Sequence, residues 1–67
     1  MMYRTKIKVL IDHEWHPVDF DQVASVSDLI AFRSRLCEYC RSGRIDNFRM
    51  EVFRLNTGAK VVEYAYS

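Results

Sequence analysis

The spacing of the apolar residues changes twice along this sequence, and those changes constrain the fold more than any other feature. Apolar or β-branched residues occupy every second position over residues 3–11, and the alternation returns over residues 48–55 and 60–66. Between these stretches, over residues 26–42, apolar residues recur at spacings of three and four. Alternation is typical of a strand with one buried side, and the longer spacing is typical of an amphipathic helix. The pattern therefore predicts strands on both sides of a single helix.

Two short polar segments have the composition of hairpin turns. Residues 12–14 separate the first predicted strand from a second one over residues 15–20, and residues 56–59 separate the last two strands. Pro17 places the second strand at an edge of the sheet, because a residue without a backbone N–H interrupts the hydrogen bonding of a central strand. Gly58 can adopt the positive φ angle that a tight hairpin loop requires.

Helix-end signals bound the central segment. Ser25 or Ser27 is predicted as the N-cap, with Asp28 in the first turn, where a carboxylate interacts favourably with the helix dipole. Gly43 suits the position just after the last helical residue, where a left-handed backbone is common. The predicted apolar stripe of the helix consists of Leu29, Phe32, Leu36 and Cys40.

These elements predict an α+β fold of the order ββαββ, with a four-stranded antiparallel sheet and one helix packed on one face. Numbered along the chain, the strands can lie side by side as 2-1-3-4 or as 1-2-4-3, since both orders make every neighbour antiparallel. A parallel βαβ connection is the less favoured alternative. A chain of 67 residues is expected to form one small domain over residues 1–67.

Composition and charge exclude several classes of protein. Hydrophobic residues make up 49% of the chain, which is too many for a disordered protein. No apolar run approaches the roughly 20 residues that cross a membrane. Arg4, Lys6 and Lys8 interrupt the start of the chain, where a signal peptide would be apolar. Two cysteines without an export signal indicate reduced thiols, so we expect a cytoplasmic protein with no membrane partner.

The charges are unevenly distributed along a chain whose net charge is only +1. Residues 9–32 contain five acidic side chains and no basic ones, whereas residues 33–54 contain six arginines and three acidic side chains. We therefore expect a dipolar surface, unless folding interleaves the two segments.

Two cysteines and two histidines raise the question of a zinc site. Cys37 and Cys40 form a Cys-x-x-Cys pair, and His13 and His16 complete a tetrahedral ligand set. The cysteines lie within the predicted helix, and the odd spacing of the histidines along a hairpin points their side chains to opposite faces. The sequence favours two core thiols and two exposed imidazoles, with a zinc-stapled Cys2His2 domain as a minor alternative. The sequence gives less support still to a redox role for Cys37 and Cys40. A redox-active Cys-x-x-Cys pair places its attacking cysteine at a helix N-terminus, and this pair is near the other end of the predicted helix.

The sequence contains no strong catalytic signature. His13, Glu14 and His16 lie close enough for acid–base chemistry, but one helix on four short strands encloses no crevice for an ordinary substrate. No phosphate-binding loop, nucleophile elbow or dinucleotide-binding glycine pattern occurs. We predict no enzyme activity, no catalytic residue and no cofactor.

The favoured hypothesis is a protein-binding module that acts by occupying a surface of its partner. The size and character of the chain suggest a small inhibitor or accessory factor of the phage or mobile-element type. An acidic hairpin with an exposed aromatic side chain would steer towards a basic surface, such as that of a nucleic-acid-binding protein or complex. The predicted partner-binding residues are Asp12, Glu14, Trp15, Asp19, Asp21 and Phe53.

The side of the sheet that the helix leaves uncovered offers a second protein contact. It is expected to combine a modest apolar patch with a charged rim, which is also how a homodimer surface looks. The apolar residues predicted on this side are Leu10, Phe53, Leu55, Val61 and Ala65.

The alternative hypothesis is an arginine-mediated nucleic-acid-binding domain. Arg33, Arg41 and Arg44 lie on or just after the predicted helix, and arginine is the cation best suited to bidentate phosphate contacts. A net charge near zero opposes this alternative, because nucleic-acid-binding domains are usually basic.

Overall fold

The computed structural model describes residues 2–18 and 23–67, and it shows an α+β architecture. Along the chain its elements are β1 (Tyr3–Ile11), β2 (Glu14–Val18), β3 (Val23–Ala24), α1 (Val26–Arg41), β4 (Asn47–Arg54) and β5 (Lys60–Ala65). The predicted ββαββ order did not include the short strand β3, which the structure shows between β2 and α1. A strand of two residues is too short to produce an alternating pattern, so no signal in the sequence indicates it. Within the described residues, no helix combines the length and the apolar character that crossing a membrane requires.

All strand pairs are antiparallel, and β1 is at the centre of the pairing. The longer strands follow the order β2-β1-β4-β5, which is one of the two orders that the sequence allowed. β2 pairs with the second half of β1, and β3 pairs with Tyr3 and Arg4 beside it on the same edge. Pro17 therefore lies in an edge strand, as predicted.

The core forms on the side of the sheet to which the apolar side chains of β1 and β4 point. The register places Ile7 opposite Met50 and Thr5 opposite Val52, and all four side chains are buried. The same cluster contains Leu36 of α1, together with half-buried residues of the predicted helix stripe. The stripe and strand residues in this cluster include Leu29, Phe32, Cys40, Val9, Phe48, Val62 and Tyr64.

Ile45 corrects one detail of the sequence interpretation. Residues 44–47 have the composition of a polar connection, yet Ile45 is buried and belongs to the core cluster. Asn47 begins β4, and its side chain accepts hydrogen bonds from the backbone N–H groups of Phe48 at 2.7 Å and Tyr66 at 2.9 Å. These contacts tie the start of β4 to the end of the chain.

Both predicted helix-end signals are confirmed. Of the two candidate serines, Ser25 is the N-cap, and its hydroxyl accepts a hydrogen bond from the Asp28 backbone at 3.3 Å. The Asp28 carboxylate accepts in return from the Ser25 backbone at 2.9 Å, which closes a capping box. These bonds lower the pKa of the Asp28 carboxyl. At the other end, Ser42 is the C-cap and Gly43 has φ +78°.

The first hairpin turns through two residues with left-handed backbone. Ile11 pairs with Glu14, so Asp12 and His13 form a two-residue loop, with φ angles of 51° and 65°. Positive φ at both loop positions is the geometry of a type I′ turn. The Asp12 N–H donates to a carboxylate oxygen of Asp46 at 3.1 Å, which joins the turn to the segment before β4.

Thr5 provides a test of the core. Its side chain is fully buried, and its hydroxyl has no hydrogen-bond partner among the described residues. Thr5→Val keeps the shape and removes the unsatisfied hydroxyl, so we expect the free energy of unfolding to rise by about 1 kcal/mol. Chemical denaturation measures this change.

Thr57→Val is the matched control. The Thr57 hydroxyl is in the exposed β4–β5 loop and accepts a hydrogen bond from the Ala59 N–H at 3.2 Å. We expect this substitution to leave stability unchanged or to lower it slightly. A lower stability for Thr5→Val would show that its hydroxyl is satisfied in the folded protein.

Candidate binding surface

The side of the sheet turned away from the core is an exposed surface, which we call the open face. Strand alternation and the register define its members, because successive side chains of a strand point to opposite sides. They are Arg4, Lys6, Lys8 and Leu10 of β1, Trp15 and Pro17 of β2, Arg49, Glu51 and Phe53 of β4, and Lys60, Glu63 and Ala65 of β5. Predicted apolar residues Leu10, Phe53 and Ala65 are on this face.

The open face is basic although the whole chain is almost neutral. Its described residues include two carboxylates, Glu51 and Glu63, and five basic side chains. The basic side chains are Arg4, Lys6, Lys8, Arg49 and Lys60. Three of these five come from β1, which precedes the acidic segment in sequence but lies between β2 and β4 in the sheet. Arg4, Lys6 and Lys8 belong to neither of the two segments that define the expected dipole, so the basic character of this face does not follow from that division of the chain.

Neighbouring cations engage both carboxylates of the open face. Lys60 Nζ lies 2.6 Å from a Glu63 oxygen and 3.3 Å from a Glu51 oxygen. Arg49 Nε lies 3.5 Å from the other Glu63 oxygen. The hydrogen bond with Lys60 lowers the pKa of Glu63 and raises the pKa of Lys60, so both groups stay ionised near neutral pH. The Glu51 and Glu63 side chains are 22% and 35% exposed, less than the 45% of Lys60.

Each of the two aromatic side chains of the open face has a cation beside its ring. The Arg49 guanidinium lies 5.6 Å from the centre of the Trp15 ring, and Lys6 Nζ lies 5.7 Å from the centre of the Phe53 ring. Trp15 is 44% exposed, so much of its surface is open to solvent. An exposed ring with a cation next to it can stack on a planar group and attract a negative charge at the same place.

A shallow hollow surrounds the Phe53 ring at one end of the open face. Its volume is about 230 Å³. Three cations line it beside the aromatic ring and the β4–β5 loop. The lining residues are Arg4, Lys6, Phe53, Arg54, Leu55 and Gly58. This combination suits a planar ligand that carries negative charge.

The six predicted partner-binding residues do not form one surface. Trp15 and Phe53 share the open face, whereas Glu14 points to the opposite side because it precedes Trp15 in β2. Asp12 is in the hairpin turn, and Asp19 and Asp21 are outside the described residues. Trp15 therefore lies beside the basic Arg49 and on the other side of β2 from Glu14.

The arginines of the nucleic-acid alternative lie away from the open face. The Arg33 guanidinium stacks 4.4 Å from the Tyr64 ring centre, and Tyr64 is on the core side because it pairs with Met50. Arg44 lies 5.5 Å from the centre of the Tyr39 ring. Arg41 donates a hydrogen bond to Glu38 at 2.9 Å.

Sequence reasoning placed Lys6, Lys8, Arg49, Glu51 and Glu63 at the charged rim of the uncovered side of the sheet, but it treated them as the rim of a protein contact and not as the binding residues. Arg4, Lys6 and Lys8 alternate with buried positions, so their exposure was predictable from the pattern. Their proximity to Arg49 was not predictable, because it depends on which strand pairs with β1 and in which register.

The four zinc-ligand candidates are divided among three parts of the fold. His13 is in the hairpin turn and His16 on β2, whereas Cys37 and Cys40 are half-buried on α1. Among the residues that the structure describes, no group of three or more His, Cys, Asp or Glu side chains could hold a metal ion. Burial raises the pKa of the Cys40 thiol, and the nearby Cys37 and Asp46 raise it further. A cysteine that binds zinc must be deprotonated, so the raised pKa of Cys40 opposes its use as a ligand.

Removing metal should therefore leave the fold unchanged. We expect the purified protein to contain no stoichiometric zinc, and its melting temperature to be the same with and without a strong chelator. Elemental analysis and a thermal melt measure both quantities. A melting temperature that falls in chelator, and returns when zinc is added, would restore the Cys2His2 alternative.

Comparison with known proteins leaves function to be argued from this geometry. No protein-family model matches the chain, and neither the curated proteins nor the solved structures provide a match.

Proposed function

We propose that this chain is a non-enzymatic nucleic-acid-binding domain and that the open face is its binding surface. The observation that carries the proposal is the concentration of five basic side chains and two aromatic rings on one exposed sheet face. Phosphates bind basic side chains, and unpaired bases stack on aromatic rings, so nucleic acid uses both features of the face.

A like-charge pair in the centre of the sheet supports the proposal. Lys8 of β1 lies directly opposite Arg49 of β4 in the register. Like charges in directly opposite positions destabilise a sheet. Glu63 lies 3.5 Å from Arg49 and balances part of this repulsion. A phosphate bound between Lys8 and Arg49 would reduce the repulsion that remains.

The net charge of +1 does not oppose binding at this face. Salt limits the reach of a surface charge to about 8–10 Å under physiological conditions. A phosphate on the open face therefore responds mainly to the charges around it. Among the described residues, those charges are five basic side chains and the two carboxylates of Glu51 and Glu63.

Under the protein-binding hypothesis, the same aromatic side chains would contact a protein instead of nucleic acid. An acidic protein surface would also be attracted to the open face, and the apolar residues around Trp15 could contact it. Stacking distinguishes the two ligands, because exposed bases cover an indole ring whereas carboxylates do not.

Two double variants with the same charge change test which surface binds. Lys6→Gln with Lys8→Gln removes two cations from the open face, and Arg41→Gln with Arg44→Gln removes two from the helix end. We expect the first variant to bind a random single-stranded 20-mer about tenfold more weakly. In a plot of log affinity against log salt concentration, the slope for this variant should be shallower by about 0.7 for each phosphate that the variant no longer neutralises. Quenching of Trp15, the only tryptophan, reports binding.

The helix variant should bind like the unmodified protein. Equal weakening in both variants would indicate a response to net charge alone, and stronger weakening in the helix variant would support the arginine set of the sequence hypothesis. No binding of any nucleic acid at low salt, with binding of an acidic polypeptide, would replace the proposal by the protein-binding alternative.

Removing a carboxylate from the open face should strengthen binding. Glu63→Gln releases Lys60 and Arg49 from their shared partner, so we expect affinity for the same 20-mer to rise several-fold and the salt dependence to steepen. Glu38→Gln on α1 makes the same charge change and should leave affinity unchanged. An unchanged or lower affinity for Glu63→Gln would contradict phosphate binding at this face.

A further inference from the structure

We infer that the nucleic acid is single-stranded and that it crosses the open face diagonally, from Trp15 to the hollow around Phe53. The inference rests on the proposed function and adds the strandedness, path and length of the ligand. It follows from where the register places the two rings and from the cations that lie between them.

The two rings are towards opposite ends of the open face, Trp15 on the edge strand β2 and Phe53 on the inner strand β4. Trp15 lies beside Leu10 of β1, and Phe53 lies beside Arg4 of the same strand. Six residues of strand span about 20 Å, and the two strand spacings between β2 and β4 add about 10 Å at right angles. The backbone positions of Trp15 and Phe53 are therefore about 22 Å apart along the diagonal.

The cations between the rings follow the same diagonal. Lys8 and Arg49 face each other next to Trp15, and Lys6 lies two positions further along β1, towards Phe53. Glu51 is directly opposite Lys6, and its carboxylate is paired with Lys60 at 3.3 Å. Residues two positions apart on one side of a strand are about 7 Å apart. A single strand advances about 3.4 Å per nucleotide while its bases stay stacked and roughly twice that when they are splayed apart. The lysine spacing thus matches the phosphate spacing of an extended strand.

Stacking at both ends requires unpaired bases. In a duplex the faces of the bases are covered by their neighbours, so an aromatic ring on a protein surface cannot stack on them. The Trp15 ring and the Phe53 hollow can each accept a base only if the strand is single and its bases are turned outwards. A duplex would contact only the cations.

The distance between the rings sets a minimum length for the ligand. A strand that reaches from one ring to the other needs between about four and seven nucleotides, depending on how far it is extended. Shorter oligonucleotides can occupy one ring at a time. Affinity should therefore rise steeply across this range of lengths and only gradually beyond it.

A length series of oligothymidylates from two to twelve nucleotides tests this inference. We expect an eightfold or greater gain in affinity between the trimer and the octamer, and at least tenfold weaker binding of an octamer duplex. Phe53→Leu should weaken octamer binding about fivefold or more while trimer quenching of Trp15 stays unchanged. Tyr39→Leu, which removes another ring beside a cation, should change neither. Thermal melts establish that both variants are folded.

The outcomes separate this inference from the proposed function. Salt-sensitive binding that increases smoothly with length, or that is equal for duplex and single strand, would overturn the diagonal path and leave the proposed function standing. Equal weakening of trimer and octamer by Phe53→Leu would also overturn the path. If no oligonucleotide binds the unmodified protein at low salt, both the inference and the proposed function are wrong.

Discussion

The pairing of β1 with β4 is the interaction on which the rest of the structure depends. Eight residue pairs join the two strands, from Tyr3 opposite Arg54 to Leu10 opposite Asn47. Because side chains alternate along a strand, this register determines both sides of the sheet at once. It brings Ile7 to Met50 in the core, and on the other side it brings Lys8 to Arg49. A shift by one residue would bury lysines and expose the core.

The two sides of this pairing have different consequences for stability. On the core side, burial of apolar surface stabilises the fold, and α1 contributes Leu36 to the same cluster. On the open face, Lys8 and Arg49 repel each other, and the carboxylates that balance part of the charge are engaged by Lys60. Local conflicts of this kind are expected at functional sites, where binding rather than folding selects the residues.

The helix and the turns support the open face from a distance. α1 lies on the core side, where the Arg33 and Arg44 guanidinium groups stack on tyrosine rings. The hairpin loop at Asp12 is joined to Asp46 before β4, which links the strand carrying Trp15 to the strand carrying Arg49 and Phe53. The aromatic and basic groups of the open face are thus on paired strands, whose backbone hydrogen bonds hold them in one arrangement.

Local patterns in the sequence determined the types of element and much of the core. The alternation of β1 and β4, the capping box at Ser25 and the glycine after the helix are properties of neighbouring residues, so they could be predicted without a fold. The edge position of the strand containing Pro17 follows from its missing N–H in the same way. Only the tertiary structure decided the strand order, the two-residue β3, the burial of Ile45 and the basic open face. Each of these depends on contacts between residues far apart in the chain, and no local pattern specifies which strand an edge will pair with.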